Sequence, residues 1–211
     1  MKRAAFVVLI LVAFFACHSA PQFEPLFNDQ DLTGWFAKDG HLASWQFADG
    51  MLSCMAPGGG WLTTEKEYAN FILRLDWRVP ESGNSGVGIR FPKEGNPAHD
   101  GMEIQILDDN AEIHKNIEDV QYTGSIYYQV AAKKGLTKPV GEWNHYEIIC
   151  DGPRVTVKLN GEIASQANLD EYLTAHGDYL PLNQRPRNGH IGLQSHGTRV
   201  DFKNLEIAEL K

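Results

Sequence analysis

Cysteine is scarce in this 211-residue chain, and none of the three, Cys17, Cys54 and Cys150, has the clustered Cys or His spacing of a zinc site. Positive charge is also short, with 19 Lys and Arg against 27 Asp and Glu and a formal net charge of −8, which argues against a nucleic-acid partner. Repeats and low-complexity segments are missing, so a solenoid or a disordered linker is not expected. The one extended hydrophobic run, Ala4 to Ala16, is too short to cross a bilayer comfortably as a helix and follows Lys2 and Arg3. That is the pattern of an export signal over residues 1–16, removed before the fold forms. Ala16 followed by Cys17 resembles a bacterial lipobox, so residues 17–22 read as a lipoprotein tether or linker, with Cys17 as the lipidation site. The expected location is the periplasm or a membrane surface reached only through that lipid.

What remains, residues 23–211, has the length of one ordinary domain. Twenty glycines and ten prolines, in a chain that is 43% hydrophobic, point to many turns between short strands. "FILRLDWRVP" places Leu73, Leu75, Trp77 and Val79 on one face and Arg74, Asp76 and Arg78 on the other, the alternation of a half-exposed antiparallel strand. "VTVKLNGEIAS" carries Asn160-Gly161, the preferred dipeptide of a two-residue type I′ hairpin. Cys54 and Cys150 lie in apolar contexts that suit a buried thiol as well as a disulfide. Helix is expected only in "NLDEYLTAHG", with Asn168 or Asp170 as cap and Gly177 as stop. About a dozen short strands therefore predict an all-β jelly-roll sandwich of two antiparallel sheets with at most one or two short helices. Long loops at "PKEGNPAHDG", "AAKKGLTKPVG" and "GDYLPLNQRPRNG" are the expected walls of a cleft.

Polar residues gather on one face of several strands. Alternation in "GVGIRF" sets Val87, Ile89 and Phe91 on one side and Arg90 on the other. In "HIGLQSHG" Gln194 and His196 oppose Ile191 and Leu193, and in "GMEIQILDD" Glu103 and Gln105 oppose Met102, Ile104 and Ile106. Gly88 and Gly192 leave space above such a sheet. Glutamine, histidine, arginine and glutamate suit recognition of sugar hydroxyls, and Trp61, Tyr127 or Tyr128 suits stacking on a pyranose ring. Strict alternation sends Asp108 to the Ile106 side; one β-bulge between residues 105 and 108 would bring it beside Glu103. Glycosidases of the laminarinase kind use E-x-D-x-x-E at such a place, and this chain departs from it at Gln105 and Asp108. The retaining mechanism with two matched carboxylates is therefore not expected.

The blocks "PLFNDQDLTGW", "GGGWLTTEKEYANFILRLDWRVPESGNSGVGIR", "GMEIQILDD", "TGSIYY", "GEWNHYEIICDGPRVTVKLNGE" and "GHIGLQSHGTRVDFKNLEI" resemble, in the same order, the 3-keto-disaccharide hydrolase domain family. The resemblance spans nearly all of the mature chain and implies a concanavalin-like jelly roll. It further implies cleavage of glycosides oxidised to a ketone at sugar carbon 3, by net hydrolysis or by elimination and hydration. Such chemistry requires a base at C2, a donor for the enolate oxygen and a proton for the leaving group. On these residues Glu103 or Asp108 is the expected base, His196 the acid or second base, and Arg90 the group polarising the C3 oxygen. Asn84, Gln105 and Gln194 would read hydroxyls, and His99 with Asp100 would close over the substrate. No cofactor is firmly implied; a divalent cation is conceivable where Asp108, Asp109 and Glu103 gather. The alternative is a carbohydrate-binding module without catalysis on an exported lipoprotein.

Overall fold

The structure is a computed structural model that describes residues 20–28, 30–54, 58–174 and 176–211. The segment expected to be an export signal and the expected lipidation site Cys17 lie outside the described residues. Among those residues no helix is long and apolar enough to cross a membrane.

The described residues form thirteen strands: β1 (Glu24–Pro25), β2 (Trp35–Lys38), β3 (Trp45–Ala48), β4 (Met51–Cys54), β5 (Gly60–Thr64), β6 (Phe71–Arg78) and β7 (Asn84–Phe91), then β8 (Met102–Leu107), β9 (Asn144–Asp151), β10 (Arg154–Leu159), β11 (Glu162–Asn168), β12 (His190–Ser195) and β13 (Val200–Glu209). They build two antiparallel sheets. The larger has the order β11-β10-β9-β6-β13-β4-β3, with β1 added on β13; the smaller runs β2-β5-β12-β7-β8. This is the expected jelly-roll sandwich.

Alternation explains both layers. In β6 Phe71, Leu73, Leu75 and Trp77 are buried while Ile72, Arg74, Asp76 and Arg78 are only half-buried. Leu73, Leu75, Trp77, Tyr146, Ile148, Val155 and Phe202 from the larger sheet pack against Leu62, Val87, Ile89, Met102, Ile104, Ile106, Ile191 and Leu193 from the smaller. Asn160 and Gly161 turn the β10–β11 hairpin with φ of 51° and 90°, the left-handed pair of a type I′ turn. Cys150 is a free buried thiol, so Cys54 and Cys150 form no disulfide with one another.

Helix differs from expectation. At "NLDEYLTAHG" the chain makes only a single 3-10 turn, Leu169–Glu171, with the Asn168 side chain capping Asp170 N–H. The one α-helix among the described residues, α1 (Pro97–Asp100), arises in a segment expected to be loop: Pro97 opens it and the Asn96 side chain accepts from the N–H groups of Ala98 and His99.

β8 matters most for function. Its residues are buried throughout, because β7 flanks one edge and segment 123–130 covers the other. Gln105 N–H donates to Ser125 O, Gly124 N–H to Gln105 O, and Tyr127 N–H to Glu103 O. Tyr127 is thereby fixed next to Glu103.

Candidate active site

The outer face of the smaller sheet holds a cavity of about 160 Å³ lined by Trp61, Asn84, Asn96, Ala98, His99, Glu103, Gln105, Tyr127, Tyr179, Gln194 and His196. Eight of the residues expected from the sequence therefore meet in one place: Trp61, Asn84, His99, Glu103, Gln105, Tyr127, Gln194 and His196. Four adjacent strands supply the floor, since Gly88 of β7 stands opposite Glu103 of β8 and Gly192 of β12, while Gln194 of β12 stands opposite Trp61 of β5. Gly88 and Gly192 do not leave open space. A Cβ at either would press on the rings of Trp61 and Phe91, which cover the sheet there with centroids 6.2 Å apart.

Glu103 lies at the bottom, 3% exposed. Gly86 allows this: a Cβ there would collide with the Glu103 carboxyl, so only a glycine on β7 lets the side chain lie flat toward β12. Burial pushes the Glu103 carboxyl up to about 8, and hydrogen bonding from the Gln194 side chain pulls slightly the other way. At neutral pH most molecules carry it protonated. The Gln194 amide oxygen is buried and has no hydrogen-bond partner among the described residues, an acceptor left for a ligand. Gln105 uses its amide oxygen on Ile106 N–H at 2.9 Å, which leaves its amide N–H groups to the cavity.

The walls are aromatic. Tyr127 accepts a hydrogen bond from Gln121 Nε2 at 3.3 Å, so its own hydroxyl proton is available for donation. Tyr179 packs on His99 at 4.2 Å and on Tyr128 at 5.1 Å between centroids, and Tyr128 stacks on His176 rather than lining the cavity. Burial raises both Tyr127 and Tyr179 and keeps them neutral donors. His99 and His196 are exposed at the rim.

Two expected catalytic residues are elsewhere. Arg90 is fully buried on the opposite side of β7, where its guanidinium donates to Ala69 O at 2.6 Å, Gly152 O at 2.8 Å and Asn70 Oδ1 at 3.1 Å. The cause is a β-bulge: Ile89 and Arg90 together face only Ile191, and Arg90 takes φ of 51°. The bulge flips the alternation, so Phe91 comes to the cavity side and Arg90 ties the smaller sheet to the turn between β9 and β10. Asp108 is also turned away. β8 pairs with β7 without a register shift through Leu107, and the Asp108 carboxylate accepts from Ser82 N–H at 2.9 Å and Asn110 N–H at 3.2 Å. Asp109 accepts from the Thr123 hydroxyl and N–H. The three carboxylates suggested for a cation do not gather, and among the described residues no cluster of three or more His, Cys, Asp or Glu is placed to hold a metal.

Sequence reasoning missed Asn96, Ala98, Tyr179 and the supporting Gly86. The first three lie in the two Pro- and Gly-bearing loops already marked as cleft walls, so the segments were visible and the individual side chains were not.

A jelly-roll sandwich with a sugar-sized hollow on its smaller sheet, floored by a buried carboxyl and walled by aromatic rings, has the layout of a glycoside-cleaving enzyme. Comparison with known proteins agrees. Residues 22–208 match the 3-keto-alpha-glucoside-1,2-lyase-like domain family, and the chain belongs to that family. It is 24% identical to a 3-keto-disaccharide hydrolase of Bacteroides thetaiotaomicron, over 88% of this chain and 77% of that one. A protein of Parabacteroides distasonis provisionally named a glycosyl hydrolase is 29% identical, covers 90% of this chain and all of its own, and superposes with a TM-score of 0.81. A β-glucanase of Bacillus licheniformis shares the fold alone, with 12% identity, 92% and 99% coverage and a TM-score of 0.51.

Proposed function

We propose that the protein cleaves glycosides already oxidised to a ketone at C3, by elimination across C1–C2 followed, for net hydrolysis, by addition of water. One observation carries the reading. Glu103 is the only carboxyl group lining the cavity among the described residues, and paired-carboxylate glycosidases need two. A single base is enough for elimination, because the C3 ketone acidifies the C2 hydrogen.

Glu103, in its ionised form, takes the C2 proton. The electron pair moves into an enolate whose oxygen receives hydrogen bonds from neutral donors, Tyr127 and the amides of Gln105 and Asn84, in place of the guanidinium expected from the sequence. Collapse of the enolate breaks the C1–O bond and leaves C1=C2 conjugated to the C3 carbonyl. The departing oxygen takes a proton from His196 or from Glu103 itself. Water adding across C1=C2 then completes hydrolysis. A base near pKa 8 is strong enough to accept a carbon acid's proton and is still partly ionised at neutral pH. Export and lipid attachment at Cys17 belong to the same proposal and rest on the N-terminal sequence alone.

The test is turnover of a 3-keto-glucoside bearing a chromophoric aglycone, run in deuterated water. Aglycone release with deuterium appearing at C2 of the sugar product is expected. No release from the 3-keto compound, or equal release from the unoxidised glucoside, would overturn the proposal.

A further inference from the structure

Arg185 does not line the cavity, yet its guanidinium is buried, 2% exposed, at the end of the 3-10 turn Leu182–Gln184. Its Nε donates to Leu180 O at 2.8 Å, and its Nη1 donates to Ala98 O at 3.1 Å and Gly101 O at 2.7 Å. The acceptors bracket the two wall residues: Leu180 follows Tyr179, and Ala98 and Gly101 lie on either side of His99. The guanidinium carbon is 5.9 Å from the Tyr179 ring centroid, and Tyr179 in turn packs on His99 at 4.2 Å. No carboxylate forms a salt bridge with Arg185 among the described residues, and its Nη2 is buried without a hydrogen bond there. Burial pulls its pKa down to about 10, with Tyr179 and Asp100 countering.

A buried guanidinium without a paired carboxylate is costly to keep, and an apolar side chain of similar volume would fill the space more cheaply. What an apolar residue could not do is hold two loops in one fixed relation. The fork geometry reaches the 98–101 segment and the 179–180 segment at once, a task for which lysine's donors, all on one nitrogen, lack the spread.

We propose that Arg185 is a positioning residue that fixes the His99–Tyr179 wall over the cavity and so sets affinity for the sugar ring. The proposal rests on the reading of this cavity as the glycoside site. It acts on binding rather than on proton transfer, because Glu103 is held by β7, β8 and β12, which Arg185 does not touch.

Two variants test it, R185K and R185M. In R185K, hydrogen exchange should quicken in segments 96–101 and 179–185 while β7, β8 and β12 keep wild-type protection. KM for the 3-keto-glucoside should rise on the order of tenfold, with kcat changed far less and the pH midpoint of kcat/KM unmoved. In a cycle with Tyr179→Leu, R185M should add little to KM once the wall is already gone. Unchanged exchange in R185K would overturn the positioning role even if no turnover were found. An additive cycle, or a pH midpoint that shifts together with KM, would also overturn it. If R185M does not fold, R185K in the same cycle decides. Inactivity of the wild-type enzyme with normal loop ordering would instead count against the glycoside reading alone.

Discussion

The two outer faces of the sandwich treat polar side chains in opposite ways. On the larger sheet they are paired across strands: Arg74 with Glu147 and Glu206, Lys158 with Glu147, His145 and Asn204 with Asp76, and Arg78 with Asp201, which Arg199 also reaches from two residues before. In the cavity on the smaller sheet amides and hydroxyls surround one buried carboxyl, and an amide oxygen of Gln194 is left over. The larger hollow, about 490 Å³, lies on the paired face, where Arg74, Asp76, His145 and Glu206 line it. Size points there; chemistry points to the 160 Å³ cavity. A polar group already satisfied by a neighbour offers little to a ligand, whereas an unsatisfied one gains by binding. The comparison separates a face that serves solubility and stability from one that sacrifices stability for reactivity.

Glu103→Gln should have the largest effect. Its shape is kept and its basicity lost, so turnover should fall by roughly a factor of a thousand while binding of the unoxidised glycoside persists. The same change should stabilise the protein in alkali. The folded carboxyl keeps its proton up to about 8, whereas the unfolded one loses it in the ordinary carboxylate range near 4.5. That retained proton favours folding fully below the unfolded value, and the advantage is lost as pH rises through about 8. The amide has no proton to lose, so thermal unfolding should show E103Q gaining on wild type between these limits and holding its lead above them. Wild-type kcat/KM should rise over the upper part of that window as the base ionises. An E103Q variant as active as wild type would remove Glu103 from the mechanism.

Gly86→Ala should have the next largest effect. The added Cβ meets the Glu103 carboxyl, which must shift from its place over β7. A misplacement near 1 Å costs about a hundredfold in rate, and kcat should carry that loss with the sheet intact by circular dichroism. Retained activity would mean that the carboxyl has freedom the packing does not suggest.

Strand alternation made much of this legible beforehand. It gave the two layers, the hairpin at Asn160-Gly161 and the shared face of Glu103, Gln105, Gln194 and His196, because a period of two is imposed by the backbone itself. It misplaced Arg90, since a bulge changes parity and leaves little trace in residue order, whereas for Asp108 plain alternation holds and turns the side chain away from Glu103. The bulge occurred at Arg90, where none was expected, and was absent after Gln105, where one was entertained. Tyr179 and Arg185 were hidden differently. They act through a loop whose course is set by tertiary hydrogen bonds to α1, 84 to 87 residues away in sequence. Alternation says nothing about such contacts.

Glu147→Gln tests the paired face and should do least. Hydrogen bonding from Lys158, and then from Arg74, holds the Glu147 carboxyl below the usual range despite partial burial. Its contribution to stability is thus present above the ordinary carboxylate value and is lost as pH falls through the depressed folded one. Replacing it should cost about 1 kcal/mol in urea unfolding at pH 7, with the difference shrinking in acid. Turnover should stay within about twofold of wild type, since the change lies on the opposite sheet from Glu103. A tenfold drop in turnover without loss of fold would show that the larger hollow takes part in the reaction, and the division of labour between the faces would fail.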